Sequence, residues 1–323
     1  MLDFALIGAG GYVAPRHMRA IRDTGNRIVA CLDKTDSVGI IDSFFPQADF
    51  FVEFERFDRH IDLLRRKGEG PDYISICSPN YLHDAHVRFA LRSGSHAICE
   101  KPLVLNPWNL DGLLEAERNS GRTVSSILQL RLHPSIKALK EKAAERNAEK
   151  YDIDLSYFTS RGHWYFVSWK GDIEKSGGLA TNIGVHFFDM LHFVFGAVQD
   201  IRLHYSVPST MAGYIEYEKA RVRWLLSIDA DNLPRVAVEE GLRTHRSLTM
   251  NGEEIEFSGG FADLHTESYR EILAGNGFGI EANRSAIETV STIRHLTPIG
   301  LTGDYHPLLK EITGKKMSVR TGY

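Results

Sequence analysis

Two rhythms divide this chain of 323 residues. In the first third, short runs that are apolar throughout alternate with stretches of helical spacing. The runs are FALIG (4–8), RIVACLD (27–33), YISICSP (73–79), HAICEKP (96–102) and TVSSILQL (123–130), with helices expected over 14–23, 84–93 and 107–119. Strands apolar on both faces and separated by helices belong to a parallel sheet covered on both sides. Near residue 130 the rhythm changes. A helix over 134–147 leads into YDIDLSYFTSR (151–161), which alternates like a half-exposed antiparallel strand. Further alternating runs lie at 201–207, 212–217, 221–229, 246–252 and 253–258, and Asn251-Gly252 between two of them predicts a hairpin. Helices over 182–195, 264–273 and 281–295 complete the second half. The pattern predicts an α/β Rossmann domain, a doubly wound parallel sheet, over 1–128. A second, α+β domain with an open, largely antiparallel sheet follows over 129–323, and its last helix is placed back on the first domain.

Composition changes this picture little. A length of 323 residues suits two domains, and 43% hydrophobic with 25% charged residues is ordinary for a globular protein. The formal net charge of −4 gives no support to nucleic-acid or anionic-membrane binding. Cys31, Cys77 and Cys99 all fall in or beside expected strands without CxxC spacing, so they read as small buried residues of a reducing compartment. The N-terminus lacks a basic segment before a long apolar run, and no stretch of about 18 apolar residues occurs. A cytoplasmic location is expected, with no metal site.

The chemistry starts at Gly8-Ala9-Gly10-Gly11-Tyr12-Val13-Ala14, which follows the first strand and opens the first helix. Glycines let the backbone turn sharply and approach a pyrophosphate, and the helix N-terminus offers free N–H groups. The match to GxGxxG is imperfect, since Val13 occupies the third position; Gly11 to Ala14 reads as the GxxA half one residue late. Asp33 closes the second strand, where a carboxylate accepts from adenosine ribose hydroxyls and repels a 2′-phosphate. That favours NAD over NADP.

The strand AIC ends in Glu100-Lys101-Pro102. Ligands bind at the carboxyl ends of such strands, so Glu100 and Lys101 are expected to project into the cleft. Pro102 restricts the backbone there and admits a cis bond. Lys101 can then donate to a substrate oxygen, and Glu100 can orient the cofactor or the lysine; the alternative is a surface ion pair. Ser78, Pro79, Asn80 and His83 end another strand, either beside the cofactor's ribose and pyrophosphate or as a plain turn. In the second domain, Asn182 and His186 stand four apart on one helix face, with Asp189 three further on. A neutral imidazole is a plausible general base; a core histidine is the alternative.

SPNYLH, ICEKPL and GGLATNIGVHFFDML, in that order, resemble the Gfo/Idh/MocA oxidoreductase family over nearly the whole chain. The resemblance implies that Lys101 and His186 flank a sugar beside the nicotinamide. Asn182 stands where many members have aspartate, a departure that removes a charged partner there. GYVAPRHMRAI, DSVGIIDS, LQLRLHP and YFTSRGHWYFVSWKGD extend the likeness to the UDP-N-acetylglucosaminuronate 3-dehydrogenases of bacterial surface-polysaccharide (O-antigen) pathways. These oxidise the sugar's 3-hydroxyl with NAD, and some regenerate NAD with 2-oxoglutarate. The resemblance adds Gln129 and Trp164 to the cofactor residues. Such a substrate, with a diphosphate and a carboxylate, calls for cations in the second domain, and Arg131, Arg161 and Lys170 are the candidates, with His163 and Tyr165 beside them. A neutral-sugar or inositol dehydrogenase of the same family, an NAD-binding protein without turnover, and an NAD-dependent glycosidase or lyase are the other readings. A free face of the second sheet predicts a homo-oligomer, dimer or tetramer.

Overall fold

In this computed structural model, residues 1–36, 38–145, 149–255 and 263–314 are described in full, and residues 315–320 by their backbone. The chain divides into two compact units, Met1–Leu132 with Phe261–Arg284, and His133–Gly260 with Ser285–Tyr323.

The first unit is built on six parallel strands: β1 (Asp3–Ile7), β2 (Arg27–Leu32), β3 (Asp49–Phe51), β4 (Tyr73–Ile76), β5 (His96–Cys99) and β6 (Val124–Ser126). Their order is β3-β2-β1-β4-β5-β6, so the chain reverses direction across the sheet between β1 and β4. That switch point is where an open α/β sheet leaves a crevice. The strands end where the apolar runs end: Phe4, Leu6, Cys31 and Ile98 join Ala14, Met18 and Ile21 of the helix Ala14–Asp23 in one core. Two elements without a strong sequence signal complete the sheet. β3 has only three residues, none buried, and the helix Phe54–Lys67 buries just Phe57 and Ile61.

The segment that returns to this unit is the helix Leu264–Leu273, not the chain's last helix. Its Tyr269 and Ile272 lie in the first core, and Ser126 N–H donates to Phe278 O at 2.8 Å. The last helix, Leu309–Arg320, instead places Leu309 and Ile312 against Phe158, Ala212 and Leu225 of the second unit. Apolar burial decides this: the 264–273 helix carries a continuous buried face, Leu264, His265, Ser268, Tyr269 and Ile272, that fits the first helix.

The second unit holds β7 (Tyr151–Thr159), β8 (Val198–Val207), β9 (Thr210–Tyr217), β10 (Ala220–Ser227), β11 (Thr244–Met250) and β12 (Glu253–Glu254), in the order β12-β11-β7-β10-β9-β8. All neighbours are antiparallel except β7 and β10, which run parallel, so β7 is antiparallel on one edge only. Asn251 (φ 53°) and Gly252 (φ 84°) make the expected hairpin turn between β11 and β12. Of the strand expected over 253–258, residues 256–258 lie outside the described residues. One sheet face is covered by the helix Val185–Phe195, where Phe188 meets Trp224 edge-on at 5.2 Å. The other face is covered in part by Leu309 and Ile312. Among the described residues no helix is long and apolar enough to cross a membrane.

Candidate active site

At the switch point the sheet ladder runs on past the strands. Gly8 N–H donates to Leu32 O at 2.8 Å, Cys77 N–H to Ile7 O at 2.9 Å and Glu100 N–H to Ile76 O at 2.9 Å. Gly8 has φ +91°, and a Cβ there would stand 2.7 Å from the backbone of Cys77 and Ser78. Only glycine lets β1 turn away this close to β4. The turn is closed by Gly11 N–H to Gly8 O (3.0 Å) and Ala14 N–H to Gly11 O (3.1 Å). Asp33 braces it from β2: Oδ2 accepts Gly10 N–H at 2.8 Å, and Oδ1 accepts Thr35 N–H and Oγ–H, each at 3.1 Å.

These residues fit a dinucleotide. The first helix begins at Val13 without a side-chain cap and with no acid in its first turn, which leaves its positive end for an anion. Gly10 and Tyr12 are exposed beside it. Asp33 retains lone pairs for ribose hydroxyls, because a carboxylate has about four acceptor positions. In the same unit, Gln129 is buried and its Oε1 has no hydrogen-bond partner.

The strand ends after β4 and β5 are more enclosed than their polarity suggests. Ser78 Oγ meets His86 Nδ1 at 2.9 Å. His83 is buried between two backbone oxygens, with Nδ1 2.7 Å from Pro102 O and Nε2 2.8 Å from Ser78 O. Asn80 is buried too, in the short turn that Pro79 opens. The Lys101–Pro102 bond is cis, and Lys101 is half-buried.

Glu100 corrects an expectation. It does not project into a cleft. It is 6% exposed, and Oε1 accepts from His17 Nε2 at 3.0 Å and from His265 Nε2 at 2.9 Å. The reason is register: Glu100 stays in the ladder, so it shares the face of Ile98, which looks into the core under the first helix. Burial alone would raise its pKa, but the hydrogen bonds from His17 and His265 outweigh it and hold the carboxyl well below the usual range. Burial keeps His17 below an ordinary histidine. His17 and His265 were not singled out as functional in the sequence. The available signal was a histidine at a core-facing position of a helix, with Ala14, Met18 and Ile21 around it.

Arg131 also departs from expectation. It lies in the first unit, not the second, and is buried; its Nη2 donates to Ala282 O at 2.7 Å and its guanidinium covers Phe278 at 5.1 Å.

In the second unit, two of the predicted residues, Tyr165 and Lys170, border a cavity of about 390 Å³ together with Gly178, Ala180, Met211 and Arg294; Asn182 and His186 are not among its lining residues. Asn182 and Tyr165 are joined, Nδ2 donating to the phenol at 2.8 Å, and both are buried. Asn182 sits in a π turn, Ala180–Gly184, which precedes His186 on the Val185–Phe195 helix; such turns recur at functional sites. His186 is half-buried and Asp189 buried. Lys170 lies over Trp169 at 4.3 Å and Trp164 at 5.7 Å, its pKa lowered by burial and then by Arg161. Trp164, Arg161 and His163 are exposed. Lys101 belongs to the first unit and His186 to the second.

Burial depresses several histidines, and the sign has a consequence. His86 and His306 are both held down to about 4, chiefly by desolvation. The unfolded chain therefore takes up protons first, and native stability falls once pH drops below about 6.5 and continues to fall to about 4. At pH 5 each of the two costs about 2 kcal/mol, at about 1.36 kcal/mol per pKa unit. Urea unfolding is expected to show a clearly lower midpoint at pH 5 than at pH 7; equal midpoints would contradict the buried, neutral state of these rings.

Comparison with known proteins agrees with this geometry. The chain matches the oxidoreductase family, NAD-binding Rossmann fold, over residues 2–127, and the oxidoreductase family, C-terminal alpha/beta domain, over 149–243. It is similar to the WlbA (WbpB) dehydrogenase from Thermus thermophilus, solved with NAD and alpha-ketoglutarate: 50% identity and a TM-score of 0.92, covering 96% of this chain and 100% of that one. The same enzyme solved with NAD and UDP-GlcNAcA gives 49% identity and a TM-score of 0.92, with the same 96% and 100% covered. D-glucoside 3-dehydrogenase of Escherichia coli (strain K12) is 25% identical over 189 residues, 50% of this chain. The chain spans about half the length of that relative, 53%. With both domains of the family matched in order, and a glycine turn at the sheet's switch point, the chain belongs to the Gfo/Idh/MocA family of NAD-binding oxidoreductases.

Proposed function

We propose that this chain oxidises the 3-hydroxyl of UDP-N-acetylglucosaminuronate to a ketone with NAD, in the sugar-nucleotide stage of bacterial surface-polysaccharide synthesis in the cytoplasm. One observation carries this: half of the residues are identical to those of an enzyme crystallised with NAD and UDP-GlcNAcA, across the whole length of that enzyme. The complex of the same relative with NAD and alpha-ketoglutarate supports 2-oxoglutarate as the compound that regenerates NAD. Self-association as a homo-oligomer is part of the same reading.

Gly8, Gly10, Gly11 and Asp33 hold the dinucleotide, which when bound supplies a hydride acceptor. His186 takes the proton of the 3-hydroxyl at a ring nitrogen. Lys101 donates to the same oxygen as its charge develops. Acid–base help of this kind is worth about 10²–10⁴-fold. Lys170 and Arg161 face the substrate's anionic groups, and Tyr165, fixed by Asn182, presents its ring.

The test is nicotinamide absorbance of the purified protein, first with UDP-N-acetylglucosaminuronate and then with 2-oxoglutarate. Reduction by the sugar and reoxidation by the keto acid are expected. No reduction, in protein shown to hold oxidised NAD, would reject the UDP-sugar assignment and turn attention to neutral sugars and inositols. Reduction without reoxidation would make NAD a freely exchanging co-substrate.

A further inference from the structure

Behind Lys101 lies a buried polar chain whose protons all point one way. Glu100 Oε1 takes hydrogen bonds from His17 Nε2 (3.0 Å) and His265 Nε2 (2.9 Å), and Oε2 takes the backbone N–H of Lys101 (3.3 Å). A carboxylate only accepts, so both imidazoles carry hydrogen on Nε2. Burial favours the neutral ring of His17, in which Nδ1 is the acceptor, and the Tyr269 hydroxyl 2.8 Å away donates to it. Tyr269 oxygen in turn accepts from Ser75 Oγ–H at 2.6 Å. Ser75, Tyr269 and His17 are each 0% exposed and His265 is 3% exposed. His17 and His265 meet edge-on, with ring centroids 5.3 Å apart. Imidazole and carboxylate together also have the composition of a metal site. Here, however, both Nε2 atoms lie at hydrogen-bond distance from a single oxygen, so protons fill the gaps between them.

A buried carboxylate fixed by three donors cannot rotate, and Lys101 is the next residue. The geometry points to Glu100, His17 and His265 as positioning residues that fix the direction of Lys101 and tie it to the helix that starts at the glycine turn. His17 comes from that helix, so the cofactor's cradle and the lysine share one rigid anchor. Glu100 therefore acts through Lys101 and touches neither cofactor nor substrate. This inference rests on the proposed role of Lys101.

Glu100→Gln keeps the shape but puts an amide donor or a single acceptor where two are needed. With UDP-N-acetylglucosaminuronate, it is expected to lower kcat about 10–100-fold, with the KM for the sugar and the affinity for NAD within about threefold of the parent. His17→Phe is expected to do the same to a lesser degree, about tenfold. His17→Gln, whose amide N–H can replace Nε2–H, should recover most of that loss, which a purely structural role would not predict. Wild-type kcat in Glu100→Gln and His17→Phe, alongside an inactive Lys101→Met, would overturn the inference and leave the proposed function standing. If the parent protein does not turn over this sugar, the proposed function has failed instead. The inference is then decided by the downfield imidazole N–H resonances: two that Glu100→Gln displaces and Lys101→Met leaves in place support it, and their absence from the parent rejects it.

Discussion

Lys101→Met is expected to lose turnover by at least about 10²–10⁴-fold while still binding NAD, the range that removal of one positioned acid–base group produces. The substitution keeps the length and the apolar stem of a half-buried side chain and deletes only the ammonium. The glycine turn, Asp33 and the start of the first helix are untouched, so the proposed dinucleotide site stays intact. His186→Phe is expected to act similarly from the second unit. The measurement is single-turnover reduction of bound nicotinamide, read beside NAD affinity. Near-parental rates in the Lys101→Met protein would remove the lysine from the reaction. A parallel loss of NAD affinity would show that it belongs to the cofactor site instead.

Gly8→Ala is expected to carry the largest stability cost of any single methyl group in the first unit. Two penalties add. Its φ of +91° is a conformation L residues rarely adopt, at about 1–2 kcal/mol. The new Cβ would also stand 2.7 Å from the carbonyl carbon and oxygen of Cys77 and from Ser78 N, backbone atoms that cannot rotate away, at about 1–3 kcal/mol. The neighbouring strand must shift, and with it the turn that Asp33 braces. A drop of about 2–5 kcal/mol in unfolding free energy, with loss of NAD binding, is the expected outcome. Gly25→Ala is the control: its φ is +76° but nothing lies within 4 Å, so it should show the backbone penalty alone. Equal midpoints for the two variants would show that the close approach of β1 and β4 is not as tight as described.

Much of this protein was legible along the chain. Five of the six strands of the first sheet fall on the apolar runs, because a strand covered on both faces leaves no polar alternation to confuse it. The hairpin at Asn251-Gly252 and the helix of His186 were legible for the same local reason. β3 and the Phe54–Lys67 helix were not, since a three-residue strand without a buried residue and a helix with two buried anchors barely perturb a polar background.

The glycine turn, Asp33 and the Glu-Lys-Pro strand end stood out as candidates by residue type and spacing, and the family by the resemblance of its motifs. Direction and partners did not. Whether Glu100 faces a cleft or the core depends on one residue of register at the end of β5, and its partners stand 83 and 165 residues away in sequence. Arg131 reads as a candidate donor to substrate by its type, and only the folded chain shows its hydrogen bond to Ala282 O and its contact with Phe278. The helix that completes the first core arrives from beyond the second sheet, and no local pattern announces where such a segment goes back. Periodicity records which face of an element is buried; only the folded chain decides what it is buried against.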